Sequence, residues 1–306
     1  MPNQRIRSLG CALLAALVFV LLPAFLDPTD FRVYLPDELP RSEPDWPNGE
    51  PAVVATVTED GLTLKGRYWP AENPNSQRLI LYFHGNKGHV VKAAEYAEGL
   101  RPIGDAILVA DYRGYSDNPG TPSEAGLFAD GRAFVKLALQ MGYAPENIFV
   151  VGLSLGSAVS LAVAATEPIA GVVVMSAFTR LDDLVPRSIA KRMNEHFDNL
   201  ARVPHIPVPK VFIQGTFDAV VVPDHGRQLY LAAREPAALV VLDSVFHRPP
   251  MSKAREIIAA AIEGIAAGDL GSLDRLEKKG LEVFVAPDRD VPALGEAGAR
   301  GTRNLR

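Results

Sequence analysis

The sequence predicts an α/β fold, a mostly parallel sheet with helices on both faces, and three observations support it. Short apolar runs alternate with segments of helical character from residue 52 to about residue 267, as in parallel sheets covered by helices. One run, Ile148 to Val151, leads through Gly152-Leu153-Ser154-Leu155-Gly156 into a stretch of small residues. Two later runs are followed by Asp218 and His247, at the strand ends where open α/β sheets hold their ligands.

The first 26 residues predict a membrane anchor. Arg5 and Arg7 precede an uncharged, mainly apolar run from Ser8 to Leu26, and a helix of this length just crosses the ~30 Å hydrocarbon layer. A cleaved signal peptide is the alternative, because Pro23 could end a shorter apolar segment. No clean cleavage site of small residues follows, which favours an anchor. The basic residues before the run and the acids after it favour an extracytoplasmic domain; signal cleavage would make that domain secreted.

The next elements follow in order along the chain. Residues 27–51, rich in proline and acid, predict a linker onto the first strand. Residues 52–58 and 62–69 predict an antiparallel hairpin joined by an Asp-Gly turn. A strand at 78–83, a helix at 90–101 and a strand at 106–110 come next. Thr121 is expected to cap the following helix, with Pro122 at its first position and Glu124 completing a capping box.

The second half of the chain continues the alternation. Apolar runs at 210–214 and 238–242 predict two further strands, and isoleucines at 257, 258, 262 and 265 share one face of a last helix. These elements place an α/β domain at 52–267, followed by a polar C-terminal extension at 268–306. Residues 178–209 predict a small cap of two brief helices. Asp182 and Asp183 there are expected to start a helix, with a catalytic role as the alternative. A small cap implies an open site.

The segment around Ser154 predicts a nucleophile elbow. A strand, a sharp Gly-x-Ser-x-Gly turn and a helix are the context in which a serine hydroxyl projects above a sheet. The two glycines fit because a tight turn brings strand and helix too close for a Cβ atom. We therefore interpret Ser154 as a catalytic nucleophile.

A serine hydroxyl needs a base to take its proton and a carboxylate to orient that base. In this architecture the chain order is serine, then acid, then histidine, which Ser154, Asp218 and His247 follow. A turn-forming aspartate and a surface histidine are the alternative interpretations, but order and placement favour catalysis. Asp243 ends the adjacent strand and is a substitute candidate for the acid.

The turn after the strand at 79–83 predicts an oxyanion hole. His84-Gly85-Asn86-Lys87-Gly88 follows that strand, and backbone N–H groups there can stabilise negative charge on a carbonyl oxygen. We expect the N–H groups of Asn86 and Leu155 to be the donors, with His84 and Gly85 supporting the loop. Lys87 is interpreted as a solvated charge, with substrate contact as the alternative.

Together these motifs resemble the α/β-hydrolase superfamily, and within it the Bem46-like, ABHD12/13/17-type serine hydrolases. The resemblance covers roughly residues 50 to 266. It is carried by His84 to Asn86, Asp111 to Ser116, Gly120 to Glu124, Gly152 to Gly156, Phe197 to Leu200, Gly215 to Asp218, and His247. The chain departs from the usual pattern in three places: Val222 intervenes before Pro223, Ser-Val-Phe precedes His247, and Lys87 replaces a small residue.

Composition sets further bounds. The chain has 306 residues, 48% of them hydrophobic, and a formal charge of −5, which gives no reason to expect nucleic acid binding. Cys11 is the only cysteine, so no internal disulfide forms. No His/Cys cluster has metal-ligand spacing, and no cofactor is expected. The oligomeric state is left open.

The expected function is that of a membrane-anchored serine hydrolase cleaving a carboxylic ester or thioester through an acyl-enzyme. The resemblance implies lysophospholipid, acylglycerol or acyl-thioester substrates, without selecting among them. A peptidase of the same fold is one alternative. A catalytically silent hydrolase fold used for interaction or scaffolding is another, suggested by the unusual sequence before His247.

Overall fold

The computed structural model describes residues 33–37, 42–279, 281–287, 291 and 294. The anchor predicted at residues 1–26 lies outside these residues. Within the described ranges, no helix combines the length and the apolar character needed to cross a membrane.

The strands follow the apolar runs of the sequence closely. They are β1 (Leu35–Pro36), β2 (Ala52–Val57), β3 (Thr63–Trp69), β4 (Leu79–Phe83), β5 (Lys87–Gly88), β6 (Ala106–Val109), β7 (Ile148–Leu153), β8 (Gly171–Met175), β9 (Lys210–Gly215), β10 (Ala237–Leu242) and β11 (Glu282–Val285). Nine of them form one sheet in the order β11-β10-β9-β8-β7-β4-β6-β3-β2. The six strands from β10 to β6 run parallel. At the ends of the sheet, β11 pairs antiparallel with β10, β3 with β6, and β2 with β3. The mostly parallel sheet is therefore as predicted.

Helices cover both faces of the sheet. They are α1 (Val90–Glu98), α2 (Glu124–Gln140), α3 (Leu155–Thr166), α4 (Arg187–Ala190), α5 (Asn199–Arg202), α6 (Asp224–Ala232) and α7 (Met251–Ala267). Short 3-10 helices lie at Arg101–Ile103, Pro145–Asn147, Leu181–Leu184, Val203–His205 and Leu270–Lys279.

The core lies in two layers separated by the sheet. Successive side chains of a strand point to opposite faces, so Leu79, Leu81 and Phe83 of β4 pack under α2, α3 and α6. Ile80 and Tyr82 of the same strand pack under α1 and α7. Because both faces are covered, the central strands β4, β6, β7, β8 and β10 carry almost only apolar side chains, and the polar site residues follow the carboxyl ends of the parallel strands.

The hairpin of β2 and β3 is confirmed, but the predicted cap of α2 was wrong. The helix begins at Glu124, and the hydroxyl of Ser123, not Thr121, accepts the N–H of Gly126. Glu124 is therefore the first helical residue, too early to close a capping box. Its carboxylate instead accepts the backbone N–H of His196 in the cap.

Two segments outside the 52–267 boundary also pack on the domain. In the extension after residue 267, Leu270, Leu273 and Leu276 are buried, and β11 pairs antiparallel with β10. In the predicted linker, β1 pairs with β5 beside the expected oxyanion loop. Neither contribution was predicted from the sequence.

Candidate active site

Ser154 occupies the strained turn between β7 and α3. Its φ and ψ are 55° and −117°, a conformation that costs a non-glycine residue about 1–3 kcal/mol and persists only when its surroundings enforce it. A Cβ atom on Gly152 would lie 2.4 Å from the carbonyl oxygen of Gly156, and one on Gly156 would lie 2.1 Å from that of Phe83. The two glycines therefore allow the close approach that holds the serine in place.

The structure brings the three side chains of the predicted catalytic set together. His247 Nε2 lies 3.0 Å from Ser154 Oγ. On the other side of the ring, His247 Nδ1 lies 2.9 Å from Asp218 Oδ2 and 3.1 Å from Oδ1. Both spacings suit hydrogen bonds, so one imidazole connects the hydroxyl with the carboxylate. In the chain, His247 is 93 positions from Ser154 and 29 positions from Asp218.

Asp218 is held as an acceptor despite the extra residue before Pro223. Its side chain is fully buried, and Oδ1 accepts the backbone N–H groups of Val220 and Val221 at 2.9 and 2.8 Å. These donors stabilise a buried negative charge. Asp243, the substitute candidate, has a different environment: its carboxylate accepts the hydroxyls of Thr216 and Ser244.

The loop that carries His247 is fixed through its backbone. Ser176, which follows β8 with a φ of 50°, donates its hydroxyl to the carbonyl of His247 at 2.7 Å. Tyr96 on α1 donates to the carbonyl of Pro249 at 2.6 Å, while the guanidinium of Arg248 lies over its ring. The sequence did not indicate the roles of Ser176 and Tyr96, because neither residue belongs to a local motif.

The loop after β4 is held by a network of aromatic side chains. His84 Nδ1 lies 2.8 Å from the carbonyl of Gly85, and Nε2 lies 3.0 Å from Asp111. A carbonyl only accepts, so the ring donates and fixes the peptide between Gly85 and Asn86. In a trans peptide the N–H points opposite to the C=O, so this bond also sets the direction of the Asn86 N–H. His84 thus has the supporting contacts that the sequence suggested.

Two buried tyrosines complete this network. Tyr112 donates to the carbonyl of His84 at 2.8 Å, and Tyr115 donates to the carbonyl of Asn86 at 2.7 Å. Burial raises the pKa of both hydroxyls, so they stay protonated and continue to donate. The second expected donor, the N–H of Leu155, is at the first position of α3, where backbone N–H groups have no partner within the helix.

Residues 33–37, which we call the strap, connect this loop to the cap. The N–H of Leu35 donates to the carbonyl of Asn86 at 2.9 Å. Tyr34 donates to Glu195 of the cap at 3.1 Å, and its ring packs against Phe197. Lys87 lies in β5 opposite Leu35. The strap therefore links the loop after β4 to the cap at the carboxyl edge of the sheet.

The acids of the cap have structural partners. Asp182 receives hydrogen bonds from Arg180 and lies 3.0 Å from His196 Nδ1, while Asp183 accepts the hydroxyl of Thr179. Both lie in the 3-10 helix Leu181–Leu184. In the described part of the chain, no group of three or more His, Cys, Asp or Glu residues could hold a metal ion.

Comparisons with known proteins agree with this architecture. A family model described as serine aminopeptidase, S33, matches residues 74–202. Uncharacterized protein Rv2307c of Mycobacterium tuberculosis is 33% identical over 261 residues, which cover 82% of this chain and 92% of that protein. Alpha/beta hydrolase domain-containing protein 17B of Homo sapiens is 29% identical over 178 residues, covering 57% of this chain and 62% of that protein.

Solved structures share the fold at low sequence identity. Esterase Pf2001 of Pyrococcus furiosus superposes with a TM-score of 0.58 at 22% identity, covering 76% of this chain and 98% of that one. A puromycin-hydrolyzing peptidase of Mycobacterium tuberculosis gives a TM-score of 0.58 at 17% identity, and the match covers 76% of this chain and 41% of that one. The sequence relatives and the family model show that the chain belongs to the α/β-hydrolase superfamily, whose fold these structures share.

Proposed function

We propose that the chain is a membrane-anchored serine hydrolase that cleaves a carboxylic ester or thioester through an acyl-enzyme. The observation that carries the proposal is the position of His247, within hydrogen-bond distance of both Ser154 Oγ and the buried carboxylate of Asp218. This arrangement lets a histidine accept the serine proton while the carboxylate holds the ring and stabilises its positive charge.

The reaction proceeds in two halves. In acylation, Ser154 Oγ attacks the carbonyl carbon as its proton moves to His247 Nε2. The C–O or C–S bond then breaks as the imidazolium gives that proton to the leaving alcohol or thiol. In deacylation, water attacks the acyl-serine, its proton passes to Nε2 and then to Ser154 Oγ, and the carboxylic acid leaves.

The negative charge that develops on the carbonyl oxygen requires fixed donors. We assign this role to the backbone N–H groups of Asn86 and Leu155. Donors that are already oriented need no rearrangement as the charge forms, and losing one typically costs about 10²- to 10³-fold in rate. The bonds from His84, Tyr112 and Tyr115 to carbonyls of this loop supply that orientation.

Peptide hydrolysis is the second candidate function, favoured by the serine aminopeptidase description of the matching family model. The same residues would act, with an amine as the leaving group. A panel of lysophospholipid, acylglycerol, acyl-thioester and aminoacyl-amide substrates separates the candidates by kcat/KM. Preference for the amides would replace the ester assignment.

Labelling with a fluorophosphonate probe tests the mechanism directly. The full-length protein in detergent should label, and Ser154→Ala should abolish labelling. Ser252→Ala, which alters an exposed serine on α7, is the matched control and should label normally. A folded wild-type protein that does not label would indicate a catalytically silent scaffold.

The membrane anchor has an independent test. The full-length chain should stay with membranes through high salt and alkaline washing, because an apolar helix of about 20 residues spans a bilayer. Protease added outside the membrane should degrade the domain. An amino terminus near Asp27 in the purified protein would show a cleaved signal peptide and withdraw the anchor, while leaving the hydrolase proposal intact.

A further inference from the structure

The strap places the start of the described chain beside the expected oxyanion loop. Its backbone bonds that loop at two points, Leu35 N–H to the carbonyl of Asn86 and Asp37 N–H to the carbonyl of Gly88, both at 2.9 Å. The Asn86 side chain donates back to the carbonyl of Val33 at 3.2 Å. The polypeptide thus approaches the domain at the edge where the site opens.

The distance from this point to the predicted anchor is limited by chain length. Residues 27–32 separate Leu26, the end of the apolar run, from Val33. From Leu26 to Val33 the chain makes seven Cα–Cα steps, which reach at most about 25 Å even when fully extended. An anchor ending at Leu26 therefore lies within about 25 Å of Val33, which the oxyanion loop contacts through Asn86.

A second feature of the same edge is an exposed aromatic pair, Phe217 and Phe246. These side chains are 50% and 62% exposed, and their rings meet edge to face at a centroid distance of 6.0 Å. They directly precede Asp218 and His247 in the chain. Clustered apolar side chains left in water mark contact sites, and Phe is common on surfaces that lie in the membrane interface.

The strap and the aromatic pair lie on opposite sides of the nucleophile. In the sheet order, β7 with Ser154 has β4 and its loop on one side, and β8, β9 and β10 on the other. At about 4.8 Å between strands, the ends of β4 and β9 are roughly 14 Å apart. A surface that touches both features must therefore face Ser154.

We propose that the carboxyl edge of the sheet lies against the bilayer that holds residues 8–26, with Phe217 and Phe246 inserted into its interface. The substrate is then an acyl ester or thioester resident in that membrane, which reaches Ser154 without crossing bulk water. This inference rests on the proposed anchor and narrows the proposed substrate class.

A second copy of the chain is a poorer occupant of this surface. A stable interface needs about 800 Å² from each partner, whereas an aromatic side chain offers about 150–250 Å² even when completely covered. Two rings that are roughly half exposed fall well short of that area. Insertion of a few side chains into lipid has no such minimum when a tether already holds the protein.

Site-specific fluorescence tests the orientation in the full-length protein. In a Cys11→Ser background, Phe246→Cys carries a nitrobenzoxadiazole label in phosphatidylcholine vesicles. Glu146→Cys is the matched control, because Glu146 is exposed and lies in the 3-10 helix that directly precedes β7, at the amino edge of the sheet. The label at 246 should shift to the blue and be quenched by brominated lipid several-fold more than the label at 146.

A second variant measures the consequence for substrate delivery. Phe217→Ser combined with Phe246→Ser should lower the ratio of turnover on a vesicle-borne ester to turnover on a dispersed short-chain ester by about fivefold or more. Using a ratio removes any general loss of activity from the comparison.

Each outcome has a distinct meaning. Equal quenching at 246 and 146, or failure of the protein to associate with vesicles, overturns the orientation. A blue shift without vesicles, together with a dimer mass by light scattering, assigns the pair to a second copy and also overturns it. Fluorophosphonate labelling of the same samples reports separately on the mechanism: quenching at 246 without labelling would support the orientation and end the hydrolase proposal.

Discussion

The two sides of the site are built differently. On the elbow side, the glycines at 152 and 156 let backbone segments approach more closely than any Cβ would allow. Tyr112 and Tyr115 then bind the carbonyls of the neighbouring loop from the core. This side is part of the packing that holds the fold together, and the strained φ of Ser154 depends on it.

On the relay side, a few polar contacts near the surface hold the reacting groups. The hydroxyl of Ser176 fixes the backbone of His247, and two N–H groups in the following loop fix Asp218. Phe217 and Phe246 beside them are exposed. Backbone-crowding substitutions on the elbow side should therefore affect stability and activity together, whereas replacement of His247 on the relay side should affect activity far more than stability.

The largest effect expected is on the relay side. His247→Ala should lower kcat by a factor on the order of 10⁴ to 10⁶, about as much as Ser154→Ala, because the members of a triad act as a unit. The melting temperature should change by less than about 3 °C, since both side chains are partly exposed and surface changes cost little. Hydrolysis of a p-nitrophenyl ester and thermal unfolding measure the two quantities. A His247→Ala enzyme with a tenth of normal activity would exclude this histidine as the base.

The choice of acid gives the next largest effect. Asp218→Asn should lower kcat on the order of 10²- to 10⁴-fold, since an amide neither holds the productive tautomer nor stabilises the imidazolium as a carboxylate does. Asp243→Asn is the matched control and should stay within about threefold of wild type, because Asp243 bonds hydroxyls at the surface instead of His247. If the Asp243 variant loses activity and the Asp218 variant does not, the carboxylate assignment is wrong.

On the elbow side, a substitution should have an intermediate effect on both the melting temperature and the activity. A Cβ on Gly156 would lie 2.1 Å from the carbonyl oxygen of Phe83 and 2.5 Å from that of His84, so Gly156→Ala must displace backbone. Overpacking costs about 1–3 kcal/mol, which corresponds to roughly 3–10 °C in melting temperature for a domain of this size. Activity should fall with it by at least about tenfold, because the displaced strand end leads into the oxyanion loop.

Gly85→Ala is the control for that prediction. Its added Cβ would lie 3.6 Å from Ser154 Cβ and from the carbonyl oxygen of Leu153, an ordinary contact distance. Its melting temperature should stay within about 3 °C of wild type, as expected where no steric clash arises. Equal melting temperatures for the two alanine variants would contradict the claim that the elbow is part of the packing.

The sequence was informative where chemistry and local geometry coincide. The elbow requires glycines at fixed positions around Ser154, and the buried strands require apolar runs, so both can be recognised in the sequence without a structure. The alternation of strand and helix also implied that Asp218 and His247 end strands at one edge. Their mutual distances follow from the order of strands in the sheet, which local patterns do not contain.

Contacts between distant residues account for what the sequence did not predict. Tyr34 and Glu195 are 161 positions apart, and neither belongs to a motif that would indicate their pairing. The strand Glu282–Val285 follows a charged segment and is only four residues long, too short for a periodic signal. Thr121 was chosen as a helix cap by spacing alone, whereas the backbone places Ser123 at that position.

The smallest effect expected concerns pH and His225 on the relay side. This histidine lies in α6, just after the loop that holds Asp218, and its Nδ1 is 2.7 Å from the hydroxyl of Thr179. Burial lowers its pKa from the ordinary value of 6.5, although the carboxylates of Asp183, Asp224 and Asp218 oppose that shift. The backbone N–H of Thr179 also points at Nδ1, at 3.4 Å, and burial at this position favours the neutral ring.

The sign of the effect follows from proton binding. Below about pH 6.5 the unfolded chain binds a proton at this position while the folded chain does not, so the free energy of unfolding falls as pH decreases. The slope is at most about 1.4 kcal/mol per pH unit, and it ends once pH passes below the folded pKa. His225→Asn keeps a polar atom near the position of Nδ1 but does not titrate. The melting temperature of this variant should therefore fall less than that of wild type between pH 7.5 and 5.5.

The control is His205→Asn, at an exposed position in the segment before β9, which should retain the wild-type pH dependence of the melting temperature. If His225→Asn and wild type lose stability in parallel, the acid sensitivity of the relay side arises from other groups.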